Sequence, residues 1–515
     1  MNSIYKSITY RFTTIMTLNF KATAAASVIL CFCLAAGTLS AQNTSVESDT
    51  LARTFNLEQA IQTALANNTE MKRALLDVRS ADQDVRSAWG TVMPQIAASA
   101  NYTRNLEIPV NFIPASALDP ENQSDELIPL AFGTDNNWMG GFSVSQTLFS
   151  GQAFVGISSS ELFKSAQSEG LRAISQGVVT QTRIAYYRAL AAKESLRLVE
   201  AQADRIRKNL EDTRKRAEQG FVDDYAVLQL EVQLGNLEPQ ITRSRFSVDS
   251  SLRNLLDVMG LPVQLSIAVR GDLGSYDINS AELANPANQS IKKIDQMVPR
   301  QVENDSLFTE KAMQLRGDLR ILQVQEDLQG KRLDAERSLF LPNISANYNL
   351  QWNAAQGGQP VFFGNERQRA RSQTLTVGVQ IPIFQGFQRS AAVQQAKIEV
   401  KDVQLQQFQA KQTANKEILS ASEAVREALQ TSVAIRDVRN QAEEGYERAL
   451  TRYQNGLGSQ QEINDANLQL QEAEVNYAQT ISNYLSAKAQ YDQAIGRVPF
   501  VGEDVSDIQE KISIN

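Results

Sequence analysis

The sequence predicts a mainly α fold with β: very long helices, four strands of alternating polarity, and a plan that runs through twice. Prolines are absent from residues 130–238 and 383–498, the windows in which long helices fit, because proline is excluded from helix interiors. Four stretches alternate apolar and polar side chains with period two. The segment FLPNISANYNLQWN at 340–353 is also a variant of VMPQIAASANYTRN at 92–105, so the chain reads as a two-fold internal repeat.

At the start, AAASVILCFCLAAGTLSAQ (24–42) follows Lys21 and ends in small residues, the pattern of a secretory leader over 1–41, with residues 42–54 as an N-terminal extension. Cys31 and Cys33 are the only cysteines, so the exported part would carry no disulfide. The leader holds three bases (Lys6, Arg11, Lys21) and no acid, so its removal takes the net charge from −8 to −11. An acidic chain is a poor partner for nucleic acid. There is no histidine, hence neither the commonest general base nor the commonest zinc ligand. No phosphate-binding, dinucleotide or nucleophile-elbow motif occurs, so neither an enzyme nor a cofactor is expected.

The first repeat is placed at 55–260. Leu57, Ile61, Ala64, Met71, Leu75, Val78, Val85 and Trp89 make one amphipathic helix. Strands follow near 95–105 and 139–149, then a helix over 152–218, a turn at Gly220, and a return helix 222–260 that Pro239 should kink. Residues 261–304, rich in Pro and Gly, form a connector of mixed short elements. The second repeat, 305–496, has a helix to 338, strands near 343–353 and 374–384, a helix over 387–455, a turn at Gly456, and a return helix 459–496. In that last helix Ile463, Leu470, Tyr477, Tyr484 and Tyr491 recur every seven residues, a packing seam. The tail 497–515 is loosely patterned. Each long helix has the length of the two shorter ones of its half, so they pair into a rod.

In the strands, Ile344, Ala346, Tyr348, Leu350 and Trp352 share one face against Asn and Gln, and Leu375, Val377, Val379, Ile381 and Ile383 do the same. Apolar-out, polar-in alternation over about ten residues is the signature of a transmembrane β-barrel strand, and half of a soluble sandwich shows the same period. Trp138 and Trp352 fall at the outer ends, and Phe149 and Phe384 at the inner ends, as interfacial girdles require. The connections 106–138 and 354–373 read as long polar external loops. Four strands cannot close a barrel and an open edge cannot face lipid, so the chain must pool strands with further copies. A dimer and a trimer would both close one.

The ordered set MPQIAASANY, FSVSQTLFSG, LPNISANYNL, VGVQIPIFQG and RYQNGLGSQQEINDANLQL resembles the TolC family of outer-membrane efflux proteins over essentially the whole exported chain. The resemblance implies a homotrimer in the outer membrane of a Gram-negative bacterium: a 12-stranded β-barrel continuing into a long α-helical coiled-coil barrel across the periplasm. It implies a passive exit duct of a tripartite efflux pump or type I secretion system. Its partners would be outer-membrane lipid, a periplasmic membrane-fusion adaptor, and an inner-membrane pump of the resistance-nodulation-division or ABC type. Adaptor contact is implied at Gly220, Phe221 and Val222 and at Gly456, Leu457 and Gly458. A periplasmic gate is implied at Tyr453, Glu462 and Asp465. Gly458 stands where the family's pattern has an arginine clasp, and Ala226 where it has a carboxylate. The competing readings are a periplasmic coiled-coil scaffold or adhesin without a pore, and a carboxylate-based hydrolase.

Overall fold

The computed structural model describes residues 53–114, 127–276, 288–296, 305–360 and 368–501; the leader and most of the extension and tail lie outside these. The helices are α1 (Leu57–Asn67), α2 (Thr69–Gly90), α3 (Gly151–Glu218), α4 (Asp224–Val258), α5 (Gln289–Gln296), α6 (Asp305–Leu315), α7 (Gly317–Ser338), α8 (Gln388–Gln454) and α9 (Gln460–Ala494). The strands are β1 (Arg53–Phe55), β2 (Gln95–Arg104), β3 (Val110–Pro114), β4 (Leu127–Ala131), β5 (Asn136–Phe149), β6 (Ile267–Val269), β7 (Asn343–Gln356) and β8 (Gln368–Gln380).

The two longest helices have 68 and 67 residues, about 100 Å each at 1.5 Å per residue. As expected, α3 packs along α4, α1 and α2, while α8 packs along α9, α6 and α7. The seam on α9 is the reason: Ile463, Leu470, Tyr477, Tyr484 and Tyr491 are all buried. Burial of Ile463 or Leu470 contributes about 1.5–3 kcal/mol each. In addition α3 packs on both α7 and α9, so it is the element that joins the chain's early and late helices.

Three expected helix and strand bounds need correction. The helix expected over 57–89 is two helices, because Asn68 ends one and begins the next. Its side-chain oxygen accepts from the Glu70 and Met71 amides while its amide donates to the Val258 carbonyl, 2.9 Å away. Beyond the junction the stripe drifts off the core, leaving Val85 half-buried and Trp89 exposed. The helix expected over 305–338 also breaks, at Arg316. Gly317 lies so close to α3 that a Cβ there would sit 2.5 Å from the Ala173 nitrogen, so the approach itself demands glycine. The strand expected over 374–384 occupies 368–380, six residues earlier at its start. Pro382 brings no amide to the ladder, and Ile381 and Ile383 lie past the last paired residue, Gln380. By contrast, α4 runs on through Pro239, whose missing N–H faces Gly235 one turn back.

The sheet has order β2-β5-β7-β8, all antiparallel. Register puts Ile96, Val144, Tyr348 and Leu375 in one row and Ala98, Phe142, Leu350 and Gln373 in the next, on one face. The intervening rows, Gln95–Ser145–Asn347–Thr376 and Ala97–Ser143–Asn349–Thr374, form the polar face. The apolar face is open in the chain: Ile96 is 74% exposed, Leu375 71% and Val379 58%. Within the external connection 106–138, β3 and β4 form a hairpin with Val110, Phe112, Leu127 and Phe132 exposed. That connection is therefore apolar at several positions, contrary to the polar loop expected.

Part of the connector forms a belt midway along the helices. Strand β6 pairs in parallel with β1, and the Tyr186 hydroxyl on α3 donates to the carbonyls of Phe55 and Arg270. The Tyr477 hydroxyl on α9 donates to the Tyr276 carbonyl at 3.0 Å. Beneath this belt Arg183 and Asp492 form an ion pair at 2.7 Å, fully out of water.

Candidate functional site

The turns that end the two long helices, α3 and α8, are built alike. At the end of α3 the Phe221 amide donates to the Arg216 carbonyl, and Gly220 has φ +78°. At the end of α8 the Leu457 amide donates to the Arg452 carbonyl, and Gly456 has φ +74°. Both are glycine-terminated helix ends, since only glycine takes the left-handed conformation without a Cβ penalty. The next helices start on side-chain caps, Asp223 accepting from the Tyr225 amide and Ser459 from the Glu462 amide. Each turn thrusts one large apolar side chain outward: Phe221 is 78% exposed and Leu457 72%. Val222 is half-buried.

The three residues expected at the gate do not form one cluster. Tyr453 is buried between α8 and α3, its hydroxyl 3.5 Å from that of Thr213 and its ring 5.0 Å from the Arg216 guanidinium carbon. Arg216 also reaches the Tyr453 carbonyl and pairs with Asp212 at 3.1 Å. Glu462 and Asp465 lie on the exposed side of α9. Glu462 is 3.7 Å from Arg452, and Asp465 accepts from Gln461 one turn earlier at 2.9 Å. Gly458 stands between the groups: a Cβ there would meet the Tyr453 nitrogen at 3.1 Å and the Glu462 carboxylate at 3.2 Å.

Sequence reasoning missed Thr213, Arg216 and Arg452, the residues that hold these groups. Arg452 adjoins Tyr453, and Thr213 and Arg216 lie two turns and one turn before Gly220, so proximity to the turn was the available signal. The pairing of α3 with α8 at the tip has no such signal, since it joins segments 237 residues apart. Chemically the tip offers a closed aromatic–guanidinium stack and an exposed carboxylate pair. Among the described residues no group of acids is arranged to hold a metal.

A family model described as outer membrane efflux protein matches residues 60–261 and 309–497. The outer membrane protein TolC of Vibrio cholerae is 19% identical over 461 residues, covering 89% of this chain and 94% of that one. TolC of Salmonella enteritidis is 23% identical over 211 residues, 41% of this chain and 39% of its own length. Among solved structures, the Campylobacter jejuni CmeC outer membrane channel superposes with a TM-score of 0.65 at 18% identity, covering 88% and 89% of the two chains. The Neisseria gonorrhoeae MtrE outer membrane channel in its open state gives 0.62 at 16% identity, covering 87% and 90%. The chain therefore belongs to the outer membrane efflux protein family, whose TolC-type members are channels of the Gram-negative outer membrane that extend into the periplasm.

Proposed function

We propose that three copies of this chain form a passive exit duct for an efflux or secretion system, each contributing four strands to one 12-stranded barrel. The observation that carries the reading is the sheet. Its apolar face is uncovered, its polar face is built from Asn, Gln, Ser and Thr, and among the described residues its edges β2 and β8 are both unpaired. In lipid an edge must be paired. Strand β2 runs away from the helices and β8 runs back toward them, so β8 of one copy meets β2 of the next antiparallel and the ring closes without a defect.

Below the barrel the long helices continue the duct across the periplasm. The exposed Phe221 and Leu457, with Gly220, Val222, Gly456 and Gly458 shaping the turns, give a periplasmic adaptor apolar knobs to grip. The inner-membrane pump then couples through that adaptor. Tyr453, held by Thr213 and Arg216, fixes the α3–α8 contact at the closed tip, and Glu462 and Asp465 supply a ring of carboxylates around the opening. No catalytic step belongs to this function.

The test is expression of the full chain, outer-membrane fractionation and planar-bilayer recording. The proposal expects a heat-modifiable trimer of discrete conductance. A monomer recovered in the soluble fraction without detergent would replace the proposal with the scaffold reading.

A further inference from the structure

Strands β2, β5, β7 and β8 contain no Asp or Glu, and their only charged residues are Arg104, Arg369 and Arg371. All three lie on the apolar face. Arg369 is in the row of Tyr102, Trp138 and Ala354, and Arg371 in the row of Ala100, Gly140 and Trp352. Arg104 is in the row beyond, with Asn136 and Gln356. The three rows are the ones farthest from the helices, beside the aromatic girdle, and all three arginines are exposed. The Arg371 guanidinium carbon is 5.9 Å from the Trp352 ring centroid.

A charge on a lipid-facing strand is costly at mid-bilayer and tolerated near the interface. Three charges of one sign at one end, with no acid in any of the four strands, match a layer of fixed anions. Within one sheet β2 and β8 are three strand spacings apart, roughly 14 Å. Only closure of the ring brings Arg104 of one copy within one spacing, about 4.8 Å, of the β8 arginines of the next.

We infer that Arg369 and Arg371 of one copy and Arg104 of its neighbour form a site, on the membrane face of each junction, for the phosphate groups of an outer-leaflet glycolipid. The inference rests on the barrel reading above. Guanidinium groups suit this ligand because their planar fork engages phosphate through two parallel hydrogen bonds, and Trp352 and Tyr102 supply apolar surface for the sugar and acyl base. The bound headgroup would engage guanidinium groups of two copies at once, so the lipid acts as a clasp across the junction.

The experiment is native mass spectrometry of the purified trimer, exchanged into phosphatidylcholine micelles with either bisphosphorylated lipid A or its dephosphorylated form. Wild type should retain the phosphorylated lipid selectively. The triple variant Arg104→Gln, Arg369→Gln, Arg371→Gln should stay trimeric and lose about fivefold in retention per arginine. Equal retention by variant and wild type, or of the two lipid forms, would overturn the inference and leave the barrel standing. Should the triple variant fail to assemble, the wild type decides: retention must fall steeply from low to high salt, and salt-independent retention sinks the site. Absence of a wild-type trimer would instead remove the barrel reading itself.

Discussion

Two buried residues on α3 govern the middle of the chain. Burial pushes the Tyr186 hydroxyl pKa well above its ordinary value. Folded Tyr186 thus stays neutral while the unfolded side chain ionises near pH 10. Its contribution is complete below about pH 10 and is lost as pH rises from there toward the folded value. Tyr186→Phe should cost about 1–3 kcal/mol at neutral pH, because the buried Phe55 carbonyl and the part-buried Arg270 carbonyl lose their donor. It should also remove this alkaline loss, and denaturant unfolding at pH 8 and pH 11 checks both. For Arg183–Asp492, Asp492→Asn should destabilise by about 3–5 kcal/mol, since a buried guanidinium is left without its counter-charge. The double change Arg183→Met, Asp492→Leu should recover most of that loss. If it is as unstable as the single change, the pair is an essential network and not an isolated couple. At the tip, Glu462→Gln with Asp465→Asn should weaken block by a trivalent cation added from the periplasmic side, with trimer yield unchanged. Unaltered block would return both acids to the role of a solvated helix face.

Among the elements, strand β8 offers the sharpest comparison of neighbours. Val377 points to the apolar face and Thr376 to the polar one, opposite Ala346 and Asn347. Val377→Arg should cost about 2–4 kcal/mol and impair insertion, while Thr376→Arg should insert and alter conductance. Equal effects of the two would refute the assigned faces. The period-two pattern made those faces legible in sequence, as the seven-residue period made the seam of α9. What stayed hidden depends on long-range packing. The breaks at Asn68 and Arg316 answer to partners on other elements, Val258 and Ala173, and the β3–β4 hairpin sits where polar residues masked two short apolar runs. The turns at Gly220 and Gly456 were legible because glycine leaves a local mark. The burial of Tyr453 under Arg216 was not, because it depends on α3 meeting α8.

For the whole molecule, the described sequence leaves one chemical fact open for direct use: Cys31 and Cys33 are its only cysteines, both within the expected leader. Any cysteine introduced into the exported chain is then the sole thiol per position. The account needs β8 of one copy beside β2 of the next, an arrangement that no contact inside one chain supplies, since β5 and β7 lie between them. The decisive measurement is oxidative cross-linking of cysteine pairs placed along β8 (Gln373, Leu375, Val377) and β2 (Ile96, Ala98, Ala100), read on denaturing gels of outer membranes. The account predicts that pairs in one register give a ladder of monomer, dimer and trimer that stops there and collapses on reduction. Cross-linking only within single chains, or none at any register, would contradict it.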